Sequence, residues 1–235
     1  MPNIIQGVSL SGINFIDLRS IITSGLVIHL DAGNTASYPG SGSTWYDISG
    51  NSNNLDFTGL TMTTGSSGYL TVSGSTARSI ANSASLRNNT VTASCWFYLN
   101  STSSNPVLLE QWYPNDGWML GVLTSSSKLF VNFSTSITGS LQKFGSTVLQ
   151  TSTWYNAAFT YDGSTAAIYL NGVLENSWAQ SGTINNVSTQ AIYVGSNAVN
   201  GFINARFAQV AVYNTALSNF QLTHNFNIIR GRYGV

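Results

Sequence analysis

One stretch constrains the fold more than any other: Tyr161-Asp162-Gly163-Ser164-Thr165-Ala166-Ala167-Ile168-Tyr169-Leu170-Asn171-Gly172-Val173. Asp162-Gly163 and Asn171-Gly172 each ask for positive φ, which glycine supplies without steric cost and Asp or Asn tolerates. A short strand-forming run lies between them. Asp-Gly and Asn-Gly flanked by strand residues are strong hairpin signals, so the segment predicts a meander of antiparallel strands in little space.

The pattern continues along the chain. Strands are expected at Leu26–Leu30, Gly68–Val72, Val91–Leu99, Val107–Gln111, Trp118–Leu123, Lys128–Phe133, Trp154–Tyr161, Ala166–Leu170, Ala191–Val194 and Phe202–Tyr213, separated by Gly, Asn and Ser turns. Many short strands without a long helical pattern mean a sandwich or barrel. The near-continuous apolar run Phe207–Tyr213 suits a central strand buried on both faces. One short helix is expected at the C-terminus. Ser218 can N-cap it, Gln221 completes a capping box, Phe220, His224 and Asn227 fall on one face, and Gly231 ends it. Residues 1–23 differ: they are rich in Ile and Leu without a clean period, and form an arm that either packs on the body or docks on a partner. The body then spans 24–235 as one all-β unit, a length common for such folds.

Several segments together resemble the laminin G-like branch of the concanavalin A-like sandwich proteins. They are the Tyr161–Val173 meander, Leu26–Asn34, the Thr44-Trp45-Tyr46-Asp47-Ile48-Ser49-Gly50-Asn51-Ser52-Asn53-Asn54 loop, Gly117-Trp118-Met119-Leu120, and Gly201–Tyr213 with Ala216-Leu217-Ser218. The resemblance covers residues 25–230 and implies a two-sheet antiparallel jelly roll and a binding module. The ending Asn225-Phe226-Asn227-Ile228-Ile229-Arg230-Gly231-Arg232-Tyr233-Gly234 is similar to tails on such domains in phage and other viral structural proteins. That similarity implies a virion structural protein, a capsid decoration or a tail or fibre component. A free carbohydrate-binding lectin module is the alternative, and a glycoside hydrolase the third.

Composition narrows the partners. Charged residues make up 7% of the chain, eight basic against eight acidic, where roughly 25% is usual. A neutral, hydroxyl-rich surface with dispersed Lys and Arg does not suit nucleic acid. No apolar run approaches the ~20 residues of a membrane span. Cys95 stands alone and is expected in the core; no Cys/His pattern suggests zinc. Met1-Pro2-Asn3-Ile4-Ile5 lacks the basic and apolar regions of a secretory signal. This fits a protein made in a host cytoplasm and exposed on a virion surface, or a mature extracellular fragment.

Candidate sites follow from chemistry. Retaining glycosidases need two carboxylates about 5–5.5 Å apart. The only glutamates, Glu110 and Glu175, have no carboxylate two residues away. Asp116 could meet Glu110 only across a hairpin, so no catalytic residue is assigned. Sugars offer apolar C–H faces and hydroxyl edges, which suit exposed rings beside amides and carboxylates. Trp112, Tyr113, Asn115 and Asp116 have that chemistry, and Trp178 is a second candidate. For Trp112 the alternative is a place covering an edge of the core; Trp45, Trp96 and Trp154 are expected in the core. Asp47 and Asn51 gather oxygens in a tight loop, which suits Ca²⁺ or, alternatively, Asx turns satisfied within the loop. The apolar arm and the Arg230–Val235 tail are candidates for contact with other virion proteins or with further copies of this chain.

Overall fold

The computed structural model describes residues 19–73, 78–101, 107–112, 116–185, 189–197 and 203–235; residues 1–18 of the arm lie outside them. In chain order the elements are β1 (Leu26–Asp31), β2 (Thr44–Trp45), β3 (Leu55–Asp56), β4 (Thr61–Thr63), β5 (Tyr69–Val72), β6 (Ser79–Ile80), β7 (Val91–Leu99), β8 (Val107–Trp112), β9 (Gly117–Leu123), β10 (Lys128–Phe133), β11 (Leu141–Val148), β12 (Trp154–Tyr161), β13 (Thr165–Leu170), β14 (Val173–Ala179), β15 (Ile192–Val194), β16 (Ala205–Tyr213) and α1 (Asn219–Arg230).

The strands form a sandwich. An eight-stranded sheet runs β14-β13-β12-β7-β16-β5-β4, with β1 also paired to β16. A six-stranded sheet runs β11-β10-β9-β8-β15-β6, and β2 and β3 make a small ribbon of their own. All pairings are antiparallel. Between the sheets lies the main core. Strand alternation delivers Phe97, Phe159 and Phe207 from one sheet and Trp118, Leu120 and Phe133 from the other. Phe133 meets Tyr161 edge-on, their ring centroids 4.6 Å apart.

Both glycine turns form as the sequence predicts. Gly163 has φ +98°, and Asn171 and Gly172 have φ +52° and +75°, the double positive φ of a two-residue hairpin. The second turn is more than a turn, because a Cβ on Gly172 would sit 2.9 Å from Thr223 Cα. The hairpin tip rests on α1, and Thr223 Oγ1 donates to Gly172 O at 2.8 Å.

α1 starts at the expected capping box: Gln221 N–H donates to Ser218 Oγ, and Ser218 N–H to Gln221 Oε1. Its buried face is not the expected one. Leu222, Phe226 and Ile229 pack inward, while Phe220 is 67% exposed. The reason lies on β7, whose Trp96 stacks on Phe226 with centroids 5.4 Å apart and planes 6° from parallel. Together with Ile21, Ile22, Ala158, Ala211 and Tyr213 these residues make a second core on the outer face of the eight-stranded sheet. β16 is therefore covered on both sides, which is why its sequence is apolar almost throughout.

The end of the arm belongs to this second core. Ile22 N–H donates to Asn225 Oδ1 at 2.8 Å, and His224 Nε2 donates to Ser20 O at 2.8 Å. In the C-terminal tail Arg232 and Tyr233 are engaged within the chain. Arg232 makes a bidentate pair with Asp31, Nη1 to Oδ2 at 2.8 Å and Nη2 to Oδ1 at 2.6 Å. Tyr233 packs on Trp154 at 4.4 Å and donates to Gly68 O. The Arg232 charge and the Tyr233 ring are thus engaged within the chain, while Arg230 is exposed. Gly33 makes room for this: a Cβ there would lie 1.9 Å from Arg232 Nη2.

Candidate functional site

The outer face of the six-stranded sheet carries no helix among the described residues. Its register aligns one residue from every strand into a row: Ser79, Tyr193, Glu110, Met119, Asn132 and Gln142, each opposite the next. Five strand spacings make this row about 24 Å wide. Glu110 is only 1% exposed and lies beneath the surface, whereas Tyr193, Met119 and Asn132 are half-buried and Gln142 is exposed. Gln142 Nε2 donates to Asn132 Oδ1 at 2.9 Å, so the two amides are held in mutual orientation.

Aromatic groups flank this polar row on both sides. Trp112 stands two residues beyond Glu110 on β8, hence on the same face, and is half-buried. On the other side Phe130 and Phe144 lie opposite each other, Phe144 38% exposed. Amides and a phenol between rings match the two aspects of a sugar, hydroxyl edges and C–H faces.

The residues singled out in the sequence divide as follows. Trp112 and Asp116 come together at one end of the sheet, since Trp112 pairs with Gly117. Asp116 accepts from Ser134 Oγ and Asn185 Nδ2, each at 3.3 Å. Tyr113 and Asn115 lie outside the described residues. Trp178 sits apart, on β14 of the eight-stranded sheet, with its ring against the main core. Its indole N–H is buried without a partner. Trp45 and Trp96 are core residues, as expected. Tyr193, Asn132 and Gln142 escaped the sequence reading. The available signal was a polar residue between two apolar ones inside a strand, as Asn132 stands between Val131 and Phe133.

The carboxylates are mostly committed. Glu110 is the only acidic residue on the six strands of this sheet. Glu175, on β14, hooks the edge of one sheet to the other. It accepts from Ser146 N–H and Oγ and from Thr147 N–H and Oγ1, at 2.7–2.8 Å. Burial pushes its pKa up, but these donors outweigh burial and hold it below the usual carboxylate value. Asp47 likewise accepts from His29 N–H, Ser49 N–H, Ser49 Oγ and Asn53 N–H, at 2.8–2.9 Å. Asn51 donates through Nδ2 to Ser49 Oγ and Leu26 O. A carboxylate with both oxygens filled by protein donors does not fit a calcium ion, which needs six to eight oxygens turned towards it. Among the described residues no group of three or more His, Cys, Asp or Glu could hold a metal ion. Cys95 is buried, and burial pushes its thiol well above its ordinary value.

Comparisons with known proteins agree with this architecture. Residues 64–222 match Laminin_G_3, described as the concanavalin A-like lectin/glucanases superfamily. No curated protein matches the chain. Among solved structures, the binding domain of Paraclostridial Mosquitocidal Protein 1 superposes with a TM-score of 0.66 at 19% identity, over 86% of this chain and 52% of that one. Domain 4 of an extracellular arabinanase from Geobacillus stearothermophilus, in complex with arabinotriose, gives 0.66 at 15% identity, over 88% and 98%. Trypanosoma rangeli sialidase in complex with sialic acid gives 0.60 at 14%, over 86% and 32%. The chain spans about half the length of the mosquitocidal binding domain it matches. The family match covers most of the sandwich, and the chain belongs to the laminin G-like family of the concanavalin A-like lectin/glucanase superfamily.

Proposed function

We propose that this chain is a non-enzymatic glycan-binding module that holds its ligand on the outer face of the six-stranded sheet. The observation that carries this reading is the row Tyr193–Met119–Asn132–Gln142 flanked by Trp112 and Phe144. Asp116 extends it at the Trp112 end. The likeness to an arabinanase domain in complex with arabinotriose supports it. Binding without cleavage is favoured because the one carboxylate in the row has no acidic neighbour on its sheet, and glycoside hydrolysis uses two. A glycan array tests the reading: binding that is lost in Trp112→Ala supports it, and hydrolysis that disappears in Glu110→Gln overturns its non-enzymatic part.

Calcium has no place in this proposal at Asp47 and Asn51. Chelator is expected to leave the thermal midpoint unchanged; a drop that Asp47→Ala abolishes would restore the metal. A second reading, a virion structural protein at a particle surface, rests on the tail sequence Asn225–Gly234 and on the apolar residues of 1–18. It is tested by imaging the native particle with an antibody to this chain. In that reading residues 1–18 make the contact with neighbouring subunits, and deleting them leaves a folded sandwich that no longer incorporates.

A further inference from the structure

The helix and tail cover one end of the eight-stranded sheet's outer face, the tail reaching Trp154 through Tyr233. At the other end the register aligns Thr71, Arg206, Tyr98 and Trp154 across four neighbouring strands, β5, β16, β7 and β12. All four side chains are half-buried. The Arg206 guanidinium carbon lies 4.6 Å from the Tyr98 ring centre and 4.8 Å from that of Tyr69. Trp154 stands beside both rings, 5.5 Å from Tyr98 and 6.0 Å from Tyr69.

Arg206 differs from Arg232. Arg232 spends its charge on Asp31. Among the described residues Arg206 touches only the two rings, without a hydrogen bond or an ion pair. None of the eight acidic residues falls on the four strands of the row. Two aromatic neighbours hold the guanidinium while its N–H donors stay unspent, and a guanidinium fork matches a carboxylate bidentately. Half-buried between rings, the guanidinium keeps these donors available to an anion. The adjoining Trp154 ring packs on Tyr233 of the tail at 4.4 Å but is only half-buried, and its remaining exposed surface suits the C–H side of a sugar.

We infer that Arg206, Tyr98, Tyr69 and Trp154 form a second glycan subsite, selective for a carboxylated sugar such as a uronic acid. The inference rests on reading the chain as a glycan-binding module, but it concerns the opposite face. An acidic peptide is the other source of a carboxylate. It is disfavoured because a single cation gives a run of carboxylates only one partner, whereas a sugar uses both Arg206 and the ring beside it.

Calorimetric titration of the whole chain with a galacturonic acid trimer and with the neutral galactose trimer tests this. The acidic trimer should bind more tightly, and more weakly as salt rises. Arg206→Gln should weaken it about ten-fold or more, the scale of a charge-assisted hydrogen bond. Arg206→Lys, which keeps charge and fold but loses the planar fork, should recover only part. Trp112→Ala should leave acidic-trimer binding in place. Equal binding of the two trimers, indifference to Arg206→Gln, or equal binding of an aspartate-rich peptide that competes with the uronate would each overturn the subsite. Loss of array binding in general, with the Arg206-dependent uronate binding intact, would sink the open-face proposal and leave this one standing.

Discussion

The outer faces of the two sheets are built from the same strand alternation and put to different uses. On the eight-stranded sheet, α1, the tail and residues 19–23 cover one end, and the polar groups there find partners inside the chain: Arg232 with Asp31, Asn225 with Tyr213 and Ile22, His224 with Ser20. On the six-stranded sheet no described element covers the row from Ser79 to Gln142. The difference teaches how to sort polar residues in a chain with so few charges. Those satisfied intramolecularly lock the fold; those oriented but left accessible are available to a ligand. Changes on the covered face should therefore alter stability, and changes on the open face binding.

The largest effect is expected at the covered face. Phe226→Ala removes the ring stacked on Trp96 and should cost about 3–5 kcal/mol in urea unfolding. A loss under 1 kcal/mol would mean that the helix is not integral to the fold. Next come the two hairpin glycines. Gly163 and Gly172 share positive φ, but a Cβ on Gly163 meets open space. Valine at either position should cost roughly 1–3 kcal/mol for the backbone alone, with Gly172→Val worse because it also pushes α1 away. Equal losses would show that the tip does not rest on the helix.

A smaller effect is expected from pH. Burial is the main cause that lowers the affinity of His29 for a proton, and Arg232 adds to it, against the opposing pull of Asp31 and Asp47. The folded chain thus prefers neutral His29, while the unfolded chain takes up a proton near 6.5. Stability from this source is fully present above that value, begins to fall below it and is lost as pH passes through the lower folded-state value. His29→Gln should flatten the decline between neutrality and the carboxylate range; an unchanged profile would contradict it. Glu175 acts lower. Its depressed pKa is worth stability that disappears only as pH falls below its ordinary 4.5.

Most long strands of both sheets were legible in the sequence, and little of the open row that pairing assembles. β7, β10 and β12 begin and end where the alternation says, because each is buried at least on its inner side. β11 and β14 carried no such signature: they are edge strands, largely exposed, and their residues are mostly polar or small. The capping box placed α1, but Leu222, Phe226 and Ile229 occupy a face offset from Phe220, His224 and Asn227, and only Trp96 decides between them. Arg232 and Asp31 are 201 positions apart, so nothing local could announce the pair. The open row depends in the same way on register between strands distant in sequence. Trp112 was visible by type and context; Tyr193, Asn132 and Gln142 became neighbours only through pairing.

The central claim is that the open face binds a glycan without cleaving it. The most direct test is a glycan array probed with the wild-type chain, Trp112→Ala and Asn132→Ala, with unfolding followed in parallel. Wild-type binding to neutral glycans that both variants lose, at a stability within about 1 kcal/mol of the parent as half-exposed positions allow, is the predicted result. Binding of a neutral glycan that survives both substitutions, or no binding to any neutral glycan by the folded wild-type chain, would contradict the account.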